Sequence, residues 1–250
     1  MRIIFSRKGF DSVAGGGPSP IVPSDEGPGR PVSLPIPAYG ELSRTTYADL
    51  ALGDEAERAS RGKVARGDWC HHDPMFLDDG TAILGQCGSA QGHLAKQRVG
   101  VGDVFVFFGL FEGAGEARHH RIFGYLEVAE VVPLKGASDA IVERFERLGH
   151  PHAFGFHGTN DTLYTGPGEV ARRAQPGLRL TAPEGPVSLW TRPEWLRRGE
   201  ITYFPDKDAN WPAPDRMYRV GNGQEFVTDI GERAEPREWL AQVIAQIRAS

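Results

Sequence analysis

Four stretches of the chain concentrate residue types that do chemistry. The first is Ser6-Arg7-Lys8-Gly9-Phe10-Asp11, followed by Gly15-Gly16-Gly17-Pro18-Ser19-Pro20. A strand running into a glycine-dense loop with two cations can cradle a phosphate, because backbone N–H groups supply donors and Arg7 and Lys8 supply charge. Ser6, Gly16 and Ser19 are the candidate contacts beside them, and Asp11 is a candidate for proton transfer or metal binding. The stretch matches neither GxxxxGK[ST] nor GxGxxG, so ordinary triphosphate or dinucleotide binding is not expected. Its structural alternative is a tight loop with a solvated Arg-Lys pair.

The second stretch is Cys70-His71-His72-Asp73-Pro74. Histidine and aspartate exchange protons near neutral pH or bind a divalent metal. Adjacent side chains rarely point the same way, so at most one histidine is expected to face a site with Asp73; the pair His72 and Asp73 is the candidate. A zinc site would need partners among Cys87, His93, His119, His120, His150 and His152, none at a recognised ligand spacing. The alternative is a hydrogen-bonded turn before Pro74.

Third, Gln86, Gln91 and His93 lie in a polar segment with Gly85, Ser89 and Gly92. A glutamine amide offers paired donor and acceptor atoms that can read a base edge, or it can simply cap a helix. Fourth, Gln224-Glu225-Phe226 follows Gly221-Asn222-Gly223. Glu225 at the entry to an apolar strand could be a general base, a metal ligand or a plain turn carboxylate, with Gln224 a candidate nucleotide contact. His150, after a helical stretch, reads as a cation complementing the helix dipole. There is no Gly-x-Ser-x-Gly. Cys70 and Cys87 lack a local cue for thiolate activation and read as core residues.

These loops need a scaffold. Residues 2–5 read as a short buried strand. Val104 to Phe111 is continuous, aromatic and β-branched, the pattern of a strand buried on both faces. Ile122 to Val132 reads as its antiparallel return. A Pro-rich hairpin is expected over Ile21 to Pro37, and short strands at Thr162–Thr165, Leu178–Thr181 and Ile201–Phe204. Helices are expected over Tyr47–Ala65 with a break near Gly53, from Ser89, over Ala140–Leu148, near Pro193, and over Pro236–Ile247. In the last, Trp239, Leu240, Val243, Ile244 and Ile247 share a face.

Of 250 residues, 40% are hydrophobic and 24% charged, which allows a sizeable core and excludes wholesale disorder. The 32 glycines and 19 prolines mark a chain that turns often. The net charge of −5, with no strongly basic segment, argues against a long non-specific nucleic-acid footprint. No apolar run reaches a membrane span or a signal-peptide core. Two cysteines exclude a disulfide scaffold, so a reduced, cytoplasmic setting is expected.

At these motifs the chain resembles the third nucleotide-modification-associated domain family. The resemblance rests on Ser6 to Ser12, the Gly-Gly-Pro-Ser-Pro run and His72-Asp73-Pro74. It continues through Gly85-Gln86, Ala90-Gln91-Gly92-His93, Gly102 to Gly109 and Gly223-Gln224-Glu225-Phe226. It covers residue 2 to about 240 and implies a bacterial or phage protein linked to the modification of nucleic-acid bases. The hairpin at about 100–133 is also similar to the central hairpin of PUA-like domains, some of which bind RNA or modified bases.

The expectation is therefore one α+β domain over residues 1–250, a mixed curved sheet or small PUA-like barrel with flanking helices. Its partner would be a nucleotide or nucleic acid, with no membrane. Arg7 and Lys8 would hold phosphate, and Gln86 and Gln91 would read the base. Asp11, His72, Asp73 or Glu225 would transfer protons or hold a divalent metal. A non-catalytic reader of modified bases is the alternative.

Overall fold

The computed structural model describes residues 1–25, 27–39, 42–113, 115–155, 157–218 and 225–249. Its strands are β1 (Arg2–Arg7), β2 (Ser19–Ser24), β3 (Gly27–Pro31), β4 (Ile36–Pro37), β5 (Cys70–His71), β6 (Met75–Phe76) and β7 (Thr81–Gln86). Then come β8 (Val104–Gly113), β9 (Glu116–Glu127), β10 (Glu130–Pro133), β11 (Thr162–Val170), β12 (Leu189–Thr191), β13 (Arg216–Tyr218) and β14 (Glu225–Asp229). Four α-helices accompany them among the described residues: α1 (Gly53–Ser60), α2 (Gly88–Lys96), α3 (Asp139–Arg147) and α4 (Ala234–Arg248).

The main sheet runs β14-β1-β8-β9-β11-β7-β6. β1 is parallel to β8 and antiparallel to β14, and the remaining neighbours along this order are antiparallel. The sheet is mixed and curls into a half-barrel, and the fold is α+β, as expected.

Alternation along the central strands builds two cores. Ile3, Phe5, Val104, Val106 and Phe108 pack on one face with Trp190 and with Leu240, Val243 and Ile247 of α4. Ile4, Phe105 and Phe107 pack on the other with Leu84, Leu94 and Tyr164, residues of the far strands and of α2. Side chains of strands so far apart meet only on the concave side of the curl. The expectation that Val104 to Phe111 is buried on both faces holds.

Other expectations shift for local reasons. The second arm of the Pro-rich hairpin is Gly27–Pro31, paired with β2, which itself lies parallel to β8. The helix expected over 47–65 is confined to Gly53–Ser60, because Tyr47 to Ala51 forms tight turns pinned by the Asp49 carboxylate on Thr46. The strand expected over 122–132 breaks after Glu127: Val128 donates to Asp103 O and Ala129 to Thr165 O, so the chain crosses to β11. Leu178–Thr181 and Ile201–Phe204 contribute only isolated bridges. The segment at Pro193 follows a short strand, Leu189–Thr191, with no helix there.

Candidate functional site

The end of β1 and the start of β14 lie side by side, with Ser6 opposite Glu225. The end of β7 and the start of β11 do the same, with Gln86 opposite Thr162. Ser6 and Lys8 share a face of their strand by the period of two, and Lys8 is anchored by its backbone N–H on Phe108 O, 2.9 Å. The curl brings the two strand pairs together. Gln86 Nε2, Ser6 Oγ (3.0 Å) and Lys8 Nζ (3.3 Å) all donate to Oε1 of Glu225. Glu225 is buried, and its Oε2 has no partner among the described residues. Burial pushes its carboxyl above the usual range, opposed by Lys8 and Ser6.

Above this floor lies a cavity of about 280 Å³ lined by Arg7, Lys8, Asp11, His71, Asp73 and Gln86, with Cys87, His152 and His157 at its side. Asp73 faces it with one oxygen committed: Oδ1 accepts from Gly85 N, 2.8 Å, and lies 3.4 Å from His150 Nε2. The latter approach is within ion-pair reach but off the line of a hydrogen bond. Burial alone would raise the Asp73 carboxyl; His150, Lys8 and His71 outweigh it and hold it below the ordinary range.

The imidazoles come from two places. β5 points Cys70 into the core and His71 toward the cavity, the alternation of a strand. The 3-10 turn Pro151–Ala153 buries His150 and His152. His152 Nδ1 pairs with Asp161 Oδ1 at 2.8 Å, which fixes that tautomer. Its ring lies against Gly85, where an added Cβ would sit 2.3 Å from His152 Cδ2. The ring centroids of His71 and His152 are 5.1 Å apart, and that of His157 is 4.5 Å from His152. Burial, helped by neighbouring histidines, drives His71 down to about 3, against the pull of Asp73. Burial also lowers His150 and His157. His150 is thus a fully buried ring beside Asp73 whose protonation burial disfavours, rather than the solvated cation at a helix end that the sequence suggests.

The structure gathers Ser6, Arg7, Lys8, Asp11, Asp73, Gln86 and Glu225 from the sequence reading. Within this group Asp11 is engaged: Oδ1 accepts from Val13 N and Ala14 N, each 2.7 Å, and Oδ2 pairs with the Arg7 guanidinium. His72 turns away, lining a neighbouring cavity of about 220 Å³ with Pro74 and Phe76; burial lowers it to about 4. Ser19 Oγ accepts from Leu34 N, 3.1 Å, and Gly16 lies beside Lys63 on an outer groove. Gln91 is buried on Tyr164 Oη, 3.0 Å, and His93 contacts Thr202 Oγ1, 3.1 Å, both outside the cavity lining. Gln224 lies outside the described residues.

Sequence reasoning passed over His71, His157 and Asp161. The alternation of Cys70 and His71 was a usable signal for the first. Asp161 carried none: it is set by Thr162 pairing with Gln86 and by Asn160, whose amide brackets the backbone of Gly88 at 2.7 and 2.9 Å.

The protein is thus an α+β protein with a curled half-barrel sheet and a polar, histidine- and carboxylate-lined cavity as its candidate site. The chain belongs to the nucleotide modification associated domain 3 family, whose model matches residues 2–229. That membership associates it with nucleotide modification. The search of the curated proteins found no match, and the search of the solved structures found none. No helix of the described residues is long and apolar enough to cross a membrane.

Proposed function

We propose that this protein is an enzyme of nucleic-acid base modification that takes a single nucleotide or an extruded base into the cavity above Glu225. The observation that carries this reading is the shared acceptor at Glu225. One buried carboxylate orients an ammonium and a carboxamide, Lys8 and Gln86, at a cavity that Asp73, His71 and His152 also line.

Each group then has a task its geometry suits. Lys8 meets phosphate as a point charge, with Arg7 beside it already paired to Asp11. Gln86 spends one amide hydrogen on Glu225, leaving its second hydrogen and its carbonyl oxygen for a base edge. Asp73, held ionised, accepts a proton or orients an imidazole. Glu225 lies beneath the lining and is a positioning residue for Lys8 and Gln86.

The cavity, at about 280 Å³, is at the small end of ligand sites, which favours one base or nucleotide over a length of polymer. The net charge of −5 agrees, since a long backbone footprint needs a basic face.

The test is nucleoside mass spectrometry on DNA and RNA from cells carrying the native chain or Asp73→Asn. The enzyme reading expects a nucleoside that appears or vanishes with the native chain and reverts with the variant. Identical profiles in native and empty cells would overturn it, and binding to modified oligonucleotides would then test the reader.

A further inference from the structure

We propose that His71, Asp73 and His152 form a three-donor site for a first-row divalent transition metal, in the wall of the cavity and with open coordination positions facing it. Their ligand atoms all lie within 4.8 Å of one another. An ion about 2.1 Å from each of three donors would hold them about 3.0–3.6 Å apart, a closure of about 1 Å or somewhat more from that limit. Rotation of His71, which lines the cavity, covers that distance.

Each donor is held by a partner outside the set, the arrangement metal ligands need. His152 commits Nδ1 to Asp161, leaving Nε2 as the nitrogen for an ion. Asp73 commits Oδ1 to Gly85 N–H, leaving Oδ2, which lies 3.9 Å from His71 Nε2. The imidazole of His71 is the mobile member, steadied by its place beside the His152 and His157 rings. Gly85 is required here twice: its N–H fixes the carboxylate, and its missing side chain admits the His152 ring.

The donor chemistry narrows the ion. Two imidazole nitrogens and one carboxylate oxygen suit iron(II), cobalt(II), manganese(II) or zinc, whereas magnesium and calcium prefer oxygen throughout. A second cluster, Cys87, His152 and Asp161, shares His152. It is the poorer choice because Asp161 lies outside the cavity lining and already holds His152 Nδ1 at 2.8 Å. Lys8 also lines the cavity and its charge is felt at Asp73; its pairing with Glu225 at 3.3 Å offsets part of its opposition to a cation there. One carboxylate leaves a dication with net positive charge. The vacant positions would therefore take water, hydroxide or an anionic oxygen of the substrate.

The experiment titrates cobalt(II) chloride into untagged, chelator-stripped native protein and follows the visible ligand-field absorption, with zinc chloride as competitor in calorimetry. The proposal expects one cobalt per chain, displaced by zinc. His71→Ala should weaken binding at least about a hundredfold, and Asp161→Asn about ten- to a hundredfold, since it disturbs only the partner of His152. His93→Ala, against Thr202 and remote from the cavity lining, should bind as the native chain does. Circular dichroism confirms that each variant is folded. Absence of cobalt binding by the native chain, or undiminished binding by His71→Ala, would overturn the site. The reading is independent of the enzyme assignment. A chain that binds cobalt yet leaves every nucleoside unchanged would retire the enzyme and keep the metal site.

Discussion

Gln86 and Glu225 lie 139 residues apart in sequence and have four strands of the sheet between them, yet the amide of one donates to the carboxylate of the other. Strands in a flat sheet are about 4.8 Å apart, so five spacings would separate them by about 24 Å. Only the curl of the half-barrel allows the two side chains to meet. The same bond that marks the closure of the sheet also sets the floor of the cavity.

Lys8→Met should be more damaging at alkaline than at acid pH. Burial raises the Glu225 carboxyl in the native state, and Lys8 opposes that rise. Without Lys8 the folded value climbs further above the unfolded one. A raised carboxyl supports stability at low pH and loses that support as pH rises from the ordinary glutamate range through the folded value. The deficit in melting temperature of the variant should therefore be larger at pH 8 than at pH 5. Equal deficits in thermal melts at the two pH values would show that Lys8 does not govern Glu225.

The native protein should lose stability as pH falls from 7 toward 4. His71 and His72 are depressed to about 3 and about 4, and His150 is depressed as well, all first by burial. The unfolded chain takes up their protons near pH 6.5 while the native chain resists. The stabilisation is complete above that value and is lost as pH descends toward the folded values. Depressed Asp73 adds a further loss at still lower pH. His72→Gln removes one of these groups, so denaturant midpoints for it should fall less steeply between pH 7 and 5. An unchanged slope would assign the acid sensitivity elsewhere.

Gly85→Ala should destabilise the fold and loosen the site together. The new Cβ would meet the His152 ring at 2.3 Å, and that ring is tied to Asp161. Overpacking of this kind costs about 1–3 kcal/mol. Urea denaturation reads the loss, and the proton resonances of His152 should shift in NMR spectra. Native-like stability would mean that the ring moves freely.

Gln86→Leu should weaken binding of a nucleoside monophosphate about ten- to a hundredfold in calorimetry, the scale of removing one or two hydrogen bonds and leaving their partner groups buried. Affinity for inorganic phosphate should change far less, because Lys8 remains. A parallel drop for both ligands would remove Gln86 from base recognition and leave it a support for Glu225.

Some of this was legible along the chain. β1, the β8–β9 hairpin and α4 announce themselves by local pattern: an apolar run, a long aromatic and β-branched stretch, and a face repeating every three or four residues. The polar loop ends that carry Ser6, Arg7, Lys8, Asp73, Gln86 and Glu225 were also visible, because glycine-dense, polar segments beside core strands stand out from the elements around them. The nucleotide modification associated domain 3 family model matches residues 2–229, which include these segments.

Which of those residues meet was decided only by tertiary structure. Side-chain direction alternates along an extended chain, so a shift of one residue exchanged His72 for His71 at the cavity. Gln91 and His93 follow Gln86 closely but lie on α2, which turns them toward Tyr164 and Thr202. Asp161 enters through the β11–β7 register, which leaves no mark in local composition, and His152 through the turn at Pro151, whose proline marks the turn but not where the imidazole points. Local sequence determines the strands and the chemistry they carry, because backbone preference and apolar periodicity act over a few residues. The curl and register of the sheet act over more than a hundred, and they alone bring Glu225, Gln86 and the histidines to one place.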